Sequence, residues 1–273
     1  MVLASVVNEG GGLQVPSLGD MFEWPNFLWD GKFYAMNKVS ALCLAAMVIG
    51  FLLWFIAARR AQLVPRGLQT LMEPLYEFIR NNIVIDVIGP KGLPYVPFLA
   101  SLFTFILICN LFEVTWPLLF PPTSAIAIPL FLTVIVWLVY IVQGIATQGP
   151  WGYLKSMIPP GVPVAILPLV FVIELVSTLF VRPLSLAVRL FANMVAGHTL
   201  ITMFLVFTLY NFGWPDSGGE PFARGVIGIL VGIVSFIGAT GMFGFEIFVG
   251  FIQAFIFTML TAVYVDSSMN PAH

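Results

Sequence analysis

The stretch RPLSLAVRLFANMVAGHTL, Arg182 to Leu200, is apolar except for two arginines, an asparagine, a histidine and small hydroxyls. FEIFVGFIQAF, Phe245 to Phe255, is apolar except for Glu246 and Gln253. Imidazole and carboxyl groups take up and release protons, an arginine keeps its charge, and amides relay hydrogen bonds. Such a set is suited to moving protons. An arginine at mid-membrane costs at least about 2.5 to 3.5 kcal/mol, so it faces protein or water and marks an ion pathway, unless it is the structural partner of a glutamate. Arg189 lies deep enough in its segment for a pathway role. Arg182, two turns earlier, is close enough to the segment's end to reach the interface by snorkelling.

The spacing can be tested against one geometry. In an antiparallel helical hairpin, residues at one depth have position numbers of nearly constant sum; 189 and 253 add to 442, and 198 and 246 add to 444. Arg189 therefore shares a depth with Gln253, and His198 shares another with Glu246, about 10 to 13 Å further along. A protonatable pair followed by a fixed cation describes a proton route. The same residues also fit a pair of interhelical hydrogen bonds that hold a hairpin together. Asn193 follows Arg189 by one turn and can face the same cavity. Glu174, Ser177 and Thr178 precede Arg189 by three to four turns and either line a separate exit or, for Glu174, end in solvent at a helix terminus. Ala196, Gly197 and the glycines at 225, 228, 232, 238, 241 and 244 permit close helix packing.

These residues need elements that cross a membrane. The 273 residues are 60% hydrophobic and 9% charged, with a mean hydropathy of +1.01, which no soluble domain can expose. Lys38 to Ala58 is about one bilayer span, closed by Arg59 and Arg60, which the distribution of positive charge places on the cytoplasmic side. From Val64 to Gly92, charges alternate with Leu68, Leu71, Leu75, Phe78 and Ile79 at helical spacing, predicting an amphipathic helix on the membrane surface. Tyr95 to Trp116 and Ala125 to Ala146 cross next, joined by the base-free loop EVTWPLLFPPTS and followed by the cytoplasmic loop TQGPWGYLKSMIPPG, which carries Lys155.

Pro163 to Tyr210 and Phe222 to Val265 run for about 48 and 44 residues, each about 65 to 70 Å as helix against a hydrocarbon core of about 30 Å. They either break at Pro183 and at Gly238 to Gly241 into four spans, or form two long tilted helices around the turn GWPDSGGEP. No loop composition surrounds Pro183, which favours the second. The predicted fold is an all-α membrane protein with five transmembrane segments, one surface helix and a long tilted helical hairpin at the end. Residues 1–37 form an extramembrane segment and residues 38–273 a single integral-membrane domain. The N-terminus is expected outside and the C-terminus in the cytoplasm.

Several classes fall away. A net charge of −2, with its 11 basic residues scattered, offers no surface for nucleic acid. Cys43 and Cys109 sit in apolar runs and form neither a CxxC pair nor a metal motif. No phosphate loop, HExxH or GxSxG motif is present, so no cofactor, metal or bond-making centre is expected.

RPLSLAVRLFANMVAGHTL and FVGFIQAFIFTMLTAVYV resemble subunit a of the bacterial F-type ATP synthase, a non-catalytic family of the membrane sector, and the layout from the first span onward agrees. The resemblance implies that Arg189 is the family's essential arginine, facing the carboxylates of a rotating c-ring and separating two offset half-channels. It places Gln253 at the partner glutamine and Asn193 at an asparagine of the external half-channel, and it puts His198 and Glu246 at channel positions that other members occupy the other way round. Glu174 stands fifteen residues before Arg189, where the family often has a cytoplasmic-channel glutamate fourteen before. The implied partners are the c-ring, peripheral-stalk b subunits, lipid and protons, and the implied location is the cell's inner (plasma) membrane, crossed several times. Among other classes, an ion-coupled secondary transporter would show internal repeats, and none is visible.

Overall fold

The computed structural model describes residues 37–59, 62, 65–115, 120–156, 163, 166–212 and 225–270. Most of the N-terminal segment and the turn GWPDSGGEP lie outside the described residues. The α-helices are α1 (Lys38–Arg59), α2 (Gln69–Ile79), α3 (Val96–Val114), α4 (Ala127–Ser156), α5 (Leu167–Val176), α6 (Arg182–Asn211) and α7 (Gly225–Met269). Among the described residues, five helical stretches are long and apolar enough to cross a membrane: Lys38–Arg59, Pro90–Val114, Ala127–Ser156, Leu167–Asn211 and Val226–Met269. Residue contacts divide the chain into two compact units.

The first unit comprises residues 1–43, 109–125 and 192–251. Within it α6 and α7 run antiparallel, and small residues set their spacing. A Cβ on Gly238 would strike the Phe204 ring, one on Gly232 would press on Asn211 and Phe212, and one on Gly197 would overlap the Glu246 carboxyl. The position numbers of these pairs add to 442 (204 and 238), 443 (197 and 246, 211 and 232) and 444 (212 and 232), the register expected from the polar residues.

The second unit comprises residues 44–108, 126–191 and 252–273. Its core packs Ile79, Ile83, Val84 and Ile88 with Leu99, Phe103 and Ile106 of α3, Val136 and Tyr140 of α4, Leu186 and Leu190 of α6, and Phe257 and Val265 of α7. The expected amphipathic helix is α-helical only to Ile79, and from Arg80 to Ile88 it widens into π turns. The apolar spacing explains this. Positions 79 and 88 are nine steps apart, which at about 100° per step would leave the first and last on opposite faces. At roughly 4.4 residues per turn, about 82° each, they return to one face. The side chains of Ile79, Ile83, Val84 and Ile88 are all buried.

A second π segment, Ser177–Val181, joins α5 to α6, so no polar turn breaks the chain near Pro183. Pro183 lacks an N–H and its ring collides with the carbonyl four residues back, and a widened turn relieves that collision. The loop expected after Ala146 is instead largely helical. Helix α4 continues to Ser156, with a break at Gly149, whose φ of 73° suits a residue without Cβ. Beyond the break Tyr153 lies against Gly144, where a Cβ would overlap its ring. Gln148 Nε2 donates to Ser268 O at 2.7 Å.

Candidate functional site

In the first unit, α6 carries His198, α7 carries Glu246, and α3 contributes a carboxyl that the sequence reading assigned to a loop, Glu113. His198 Nδ1 lies 3.8 Å from Glu113 Oε1, the Glu113 side chain being 2% exposed and that of His198 14%. Glu246 is buried against the bare backbone of Gly197, the residue next to His198. The two carboxylates are within electrostatic reach of one another. Glu113 Oε1 and Glu246 Oε2 are buried with no hydrogen-bond partner among the described residues. A buried polar group without a partner costs about 1 to 3 kcal/mol, and more if charged, so such groups are kept for a task. Two carboxyls and an imidazole, each able to hold one proton, are thus gathered on three helices of this unit.

A scaffold fixes these groups. Asn110, one turn before Glu113, donates from Nδ2 to Gly250 O at 3.0 Å, and Thr123 Oγ1 donates to Asn110 Oδ1 at 3.4 Å. These bonds tie α3, the turn Pro122–Ser124 and α7 together around the three groups. Thr123 and Ser124 are buried, and Ser124 Oγ closes the turn by donating to Pro121 O at 2.7 Å. Phe120 stands edge-on to His198, ring centres 6.0 Å apart, and Lys38 Nζ sits 5.3 Å above the same phenyl ring. Asn193 is half-buried.

The second unit holds the remaining candidates. Arg189 is exposed on α6, and among the described residues its guanidinium has no hydrogen bond or ion pair. Gln253 is buried, and its Nε2 likewise finds no partner. The depth these two were expected to share is therefore not accompanied by a hydrogen bond between them. Glu174 and Arg182 form an ion pair at 2.7 Å. The Arg182 guanidinium also lies 5.8 Å from the centre of the Tyr264 ring, and its Nη1 donates to Ser267 Oγ at 3.4 Å. Arg182 is thus held by specific partners, a glutamate among them, which is one of the two structural roles weighed for such an arginine beside snorkelling. Thr178 Oγ1 donates to Glu174 Oε1 at 3.5 Å, and Tyr140 OH donates to Thr178 O at 2.6 Å. Ser177 is half-buried in the same turn.

Glu113, Asn110 and Tyr140 were not singled out from the sequence. For the first two a signal existed: Asn110 and Glu113, three residues apart near the end of an apolar run, share one helix face. Tyr140 carries none, because one tyrosine in an apolar span looks like core.

The sequence model of the family described as ATP synthase A chain matches residues 39–266. ATP synthase subunit a of Frankia alni is 41% identical over 237 residues, 86% of this chain and 78% of that protein. ATP synthase subunit a of Streptomyces lividans is 36% identical over 272 residues, 97% of this chain and 91% of that one. ATP synthase subunit a of Bartonella bacilliformis is 36% identical over 240 residues, 88% and 90% of the two. A match over most of the chain, together with five helical stretches among the described residues long and apolar enough to cross a membrane, means that the chain is a multi-pass membrane protein of the ATP synthase A chain family.

Proposed function

We propose that this chain is the stator subunit that loads and unloads protons on a rotating ring of c subunits through two offset half-channels, coupling the proton gradient to ATP synthesis. Protons enter from outside along Glu246, Glu113, His198 and Asn193, pass to a ring carboxylate, and leave after rotation past Glu174, Ser177 and Thr178. Arg189 supplies the fixed positive charge that keeps the two routes apart, with Gln253 the polar partner that the resemblance assigns to it. The chain itself makes and breaks no bonds other than those to protons.

The observation that carries the reading is the exposure of Arg189. It lies far from either end of the apolar stretch Leu167–Asn211, with Val188 exposed beside it. A guanidinium facing lipid there would cost at least about 2.5 to 3.5 kcal/mol, and no ion pair to it is found among the described residues. A carboxylate on another membrane subunit removes that cost, and a ring brings one past repeatedly. The fixed charge favours the ionised form of the carboxylate beside it and repels a proton from a direct crossing. Loop charges support an external N-terminus and a cytoplasmic C-terminus, and the family match over residues 39–266 supports residues 38–273 as one integral-membrane domain of a complex in which b subunits are stalk partners.

The test is the Arg189→Ala substitution in the assembled complex. Coupled synthesis is lost while vesicles stripped of the catalytic head gain passive proton leak, because a ring carboxylate stays protonated between the half-channels. Arg189→Lys recovers little, since a compact ammonium lacks the planar fork and sheds its proton more readily in a low-dielectric site. Normal synthesis by Arg189→Ala refutes the assignment.

A further inference from the structure

An ion pair eight residues apart on one helix is a geometric anomaly. Eight α-helical steps of about 100° amount to 800°, which leaves the two side chains about 80° apart around the axis. Yet Glu174 and Arg182 meet at 2.7 Å. The π segment Ser177–Val181 lies between them. With five of the eight steps at about 82°, the total is about 710°, and the two residues return to within about 10° of one face. The same arithmetic applies to Glu174 and Arg189. Fifteen α-helical steps leave them about 60° apart in one direction, whereas ten α-helical and five π steps give about 1410°, close to the 1400° of fourteen α-helical steps.

We infer that the turn Ser177–Val181 houses one residue more than an uninterrupted helix needs, and that its π widening absorbs this residue and so keeps the Glu174 carboxylate aligned with Arg182 and Arg189. Arg182 and Tyr140 are then positioning residues for that carboxylate. Tyr140 OH caps the Thr178 carbonyl inside the widened turn at 2.6 Å, and Arg182 is itself held by Tyr264 and Ser267. Thr178 is buried while Phe180 and Val181 point outward, so the surplus bulges on the side away from the packed helices. The functional half of the inference rests on Glu174 lining the exit route. The register half does not.

The experiment removes the surplus. Pro183→Ala takes away the ring that keeps the turn open, and deletion of Phe180 removes the extra residue, so the combined variant has an ordinary α-helix with Glu174 and Arg182 seven apart on one face. The control combines Pro183→Ala with deletion of Val188, another exposed side chain, which turns Arg189 by about 100° relative to Glu174. Both are made in the full complex and assayed in membrane vesicles for subunit level, proton flux and ATP synthesis. The Phe180 deletion is expected to keep flux within about twofold of the parent, and the Val188 deletion to lose it by tenfold or more, about what displacement of a reacting group by an ångström or more costs. Equal loss in both, or absence of the Phe180-deleted subunit from the membrane, overturns the register. Separately, Arg182→Gln should lower flux as Glu174→Gln does, and Arg182→Lys should restore it. Unchanged flux in Glu174→Gln overturns the exit-route reading, while the paired deletions still report on the turn through subunit level and Arg189-dependent coupling.

Discussion

Gly197→Ala separates the fold from the proton path more sharply than removal of any polar group. A methyl at position 197 would overlap Oε1, Cδ and Oε2 of Glu246, all at the far end of a flexible side chain, so the carboxylate moves and the helices stay. To regain ordinary van der Waals separation the carboxylate must retreat by about 1 Å. An off-rotamer side chain costs about 0.5 to 1.5 kcal/mol, and replacing a mid-helix glycine by alanine returns about 1 kcal/mol in propensity, so net stability changes by less than about 1 kcal/mol. Function does not share that compensation, since displacing a reacting group by 1 Å can cost about a hundredfold. Proton uptake and ATP synthesis in vesicles should therefore fall by tenfold or more while the detergent-solubilised complex melts where the parent does. Two comparisons isolate the cause. Gly244→Ala, which meets nothing within 4 Å, should be silent in both assays. Gly238→Ala, whose Cβ strikes the Phe204 ring, should lower the melting temperature with a smaller loss of flux. Parental proton flux in Gly197→Ala, with the subunit present at parental level, would show that the position of the Glu246 carboxylate does not matter and would refute the relay.

Glu113→Gln keeps the shape of the buried carboxyl but removes its capacity to carry a proton, and should slow proton uptake several-fold without loss of assembly; parental uptake would remove Glu113 from the relay. Asn110→Ala strips the bond to Gly250 O and leaves the buried Thr123 Oγ1 without its acceptor, and should destabilise the subunit by about 1 to 3 kcal/mol in thermal unfolding, with Asn110→Asp milder because one acceptor survives.

Much of this architecture was legible because polar residues are rare in it. In a nearly continuous apolar background, Arg189, His198, Glu246 and Gln253 act as depth markers, and their sums anticipated the register at which Gly197, Gly232 and Gly238 meet the opposing helix. Glu113 escaped because it lies next to TWPLLFPPTS, whose prolines read as loop and drew the last turn of α3 into it. The π segments escaped for another reason. Sequence reading tests a period of 3.6 or 2, and the set 79, 83, 84 and 88 fits neither, yet it is the signature of a wider turn. Glu174 and Arg182 were likewise judged on an α-helical wheel, which separates partners that the π turn brings together. Gly149 shows the opposite error. A Gly-Pro pair announced a loop, and the chain used it as a single-residue corner within α4.

The length of α7 bears on how the protein lives in bilayers of different thickness. Its 45 residues measure about 67 Å, so keeping that apolar length within about 30 Å of hydrocarbon requires a tilt of about 60° from the normal. At that tilt one degree of rotation changes the spanned thickness by about 1 Å. The 22-residue α1, closer to upright, gains only about 0.2 Å per degree at a tilt of about 20°. A bilayer thinned by about 3 Å is thus met by about 3° in α7 but by about 15° in α1. The element that carries Glu246 and Gln253 is far more compliant toward lipid thickness than α1, and hydrophobic mismatch falls on the short span instead.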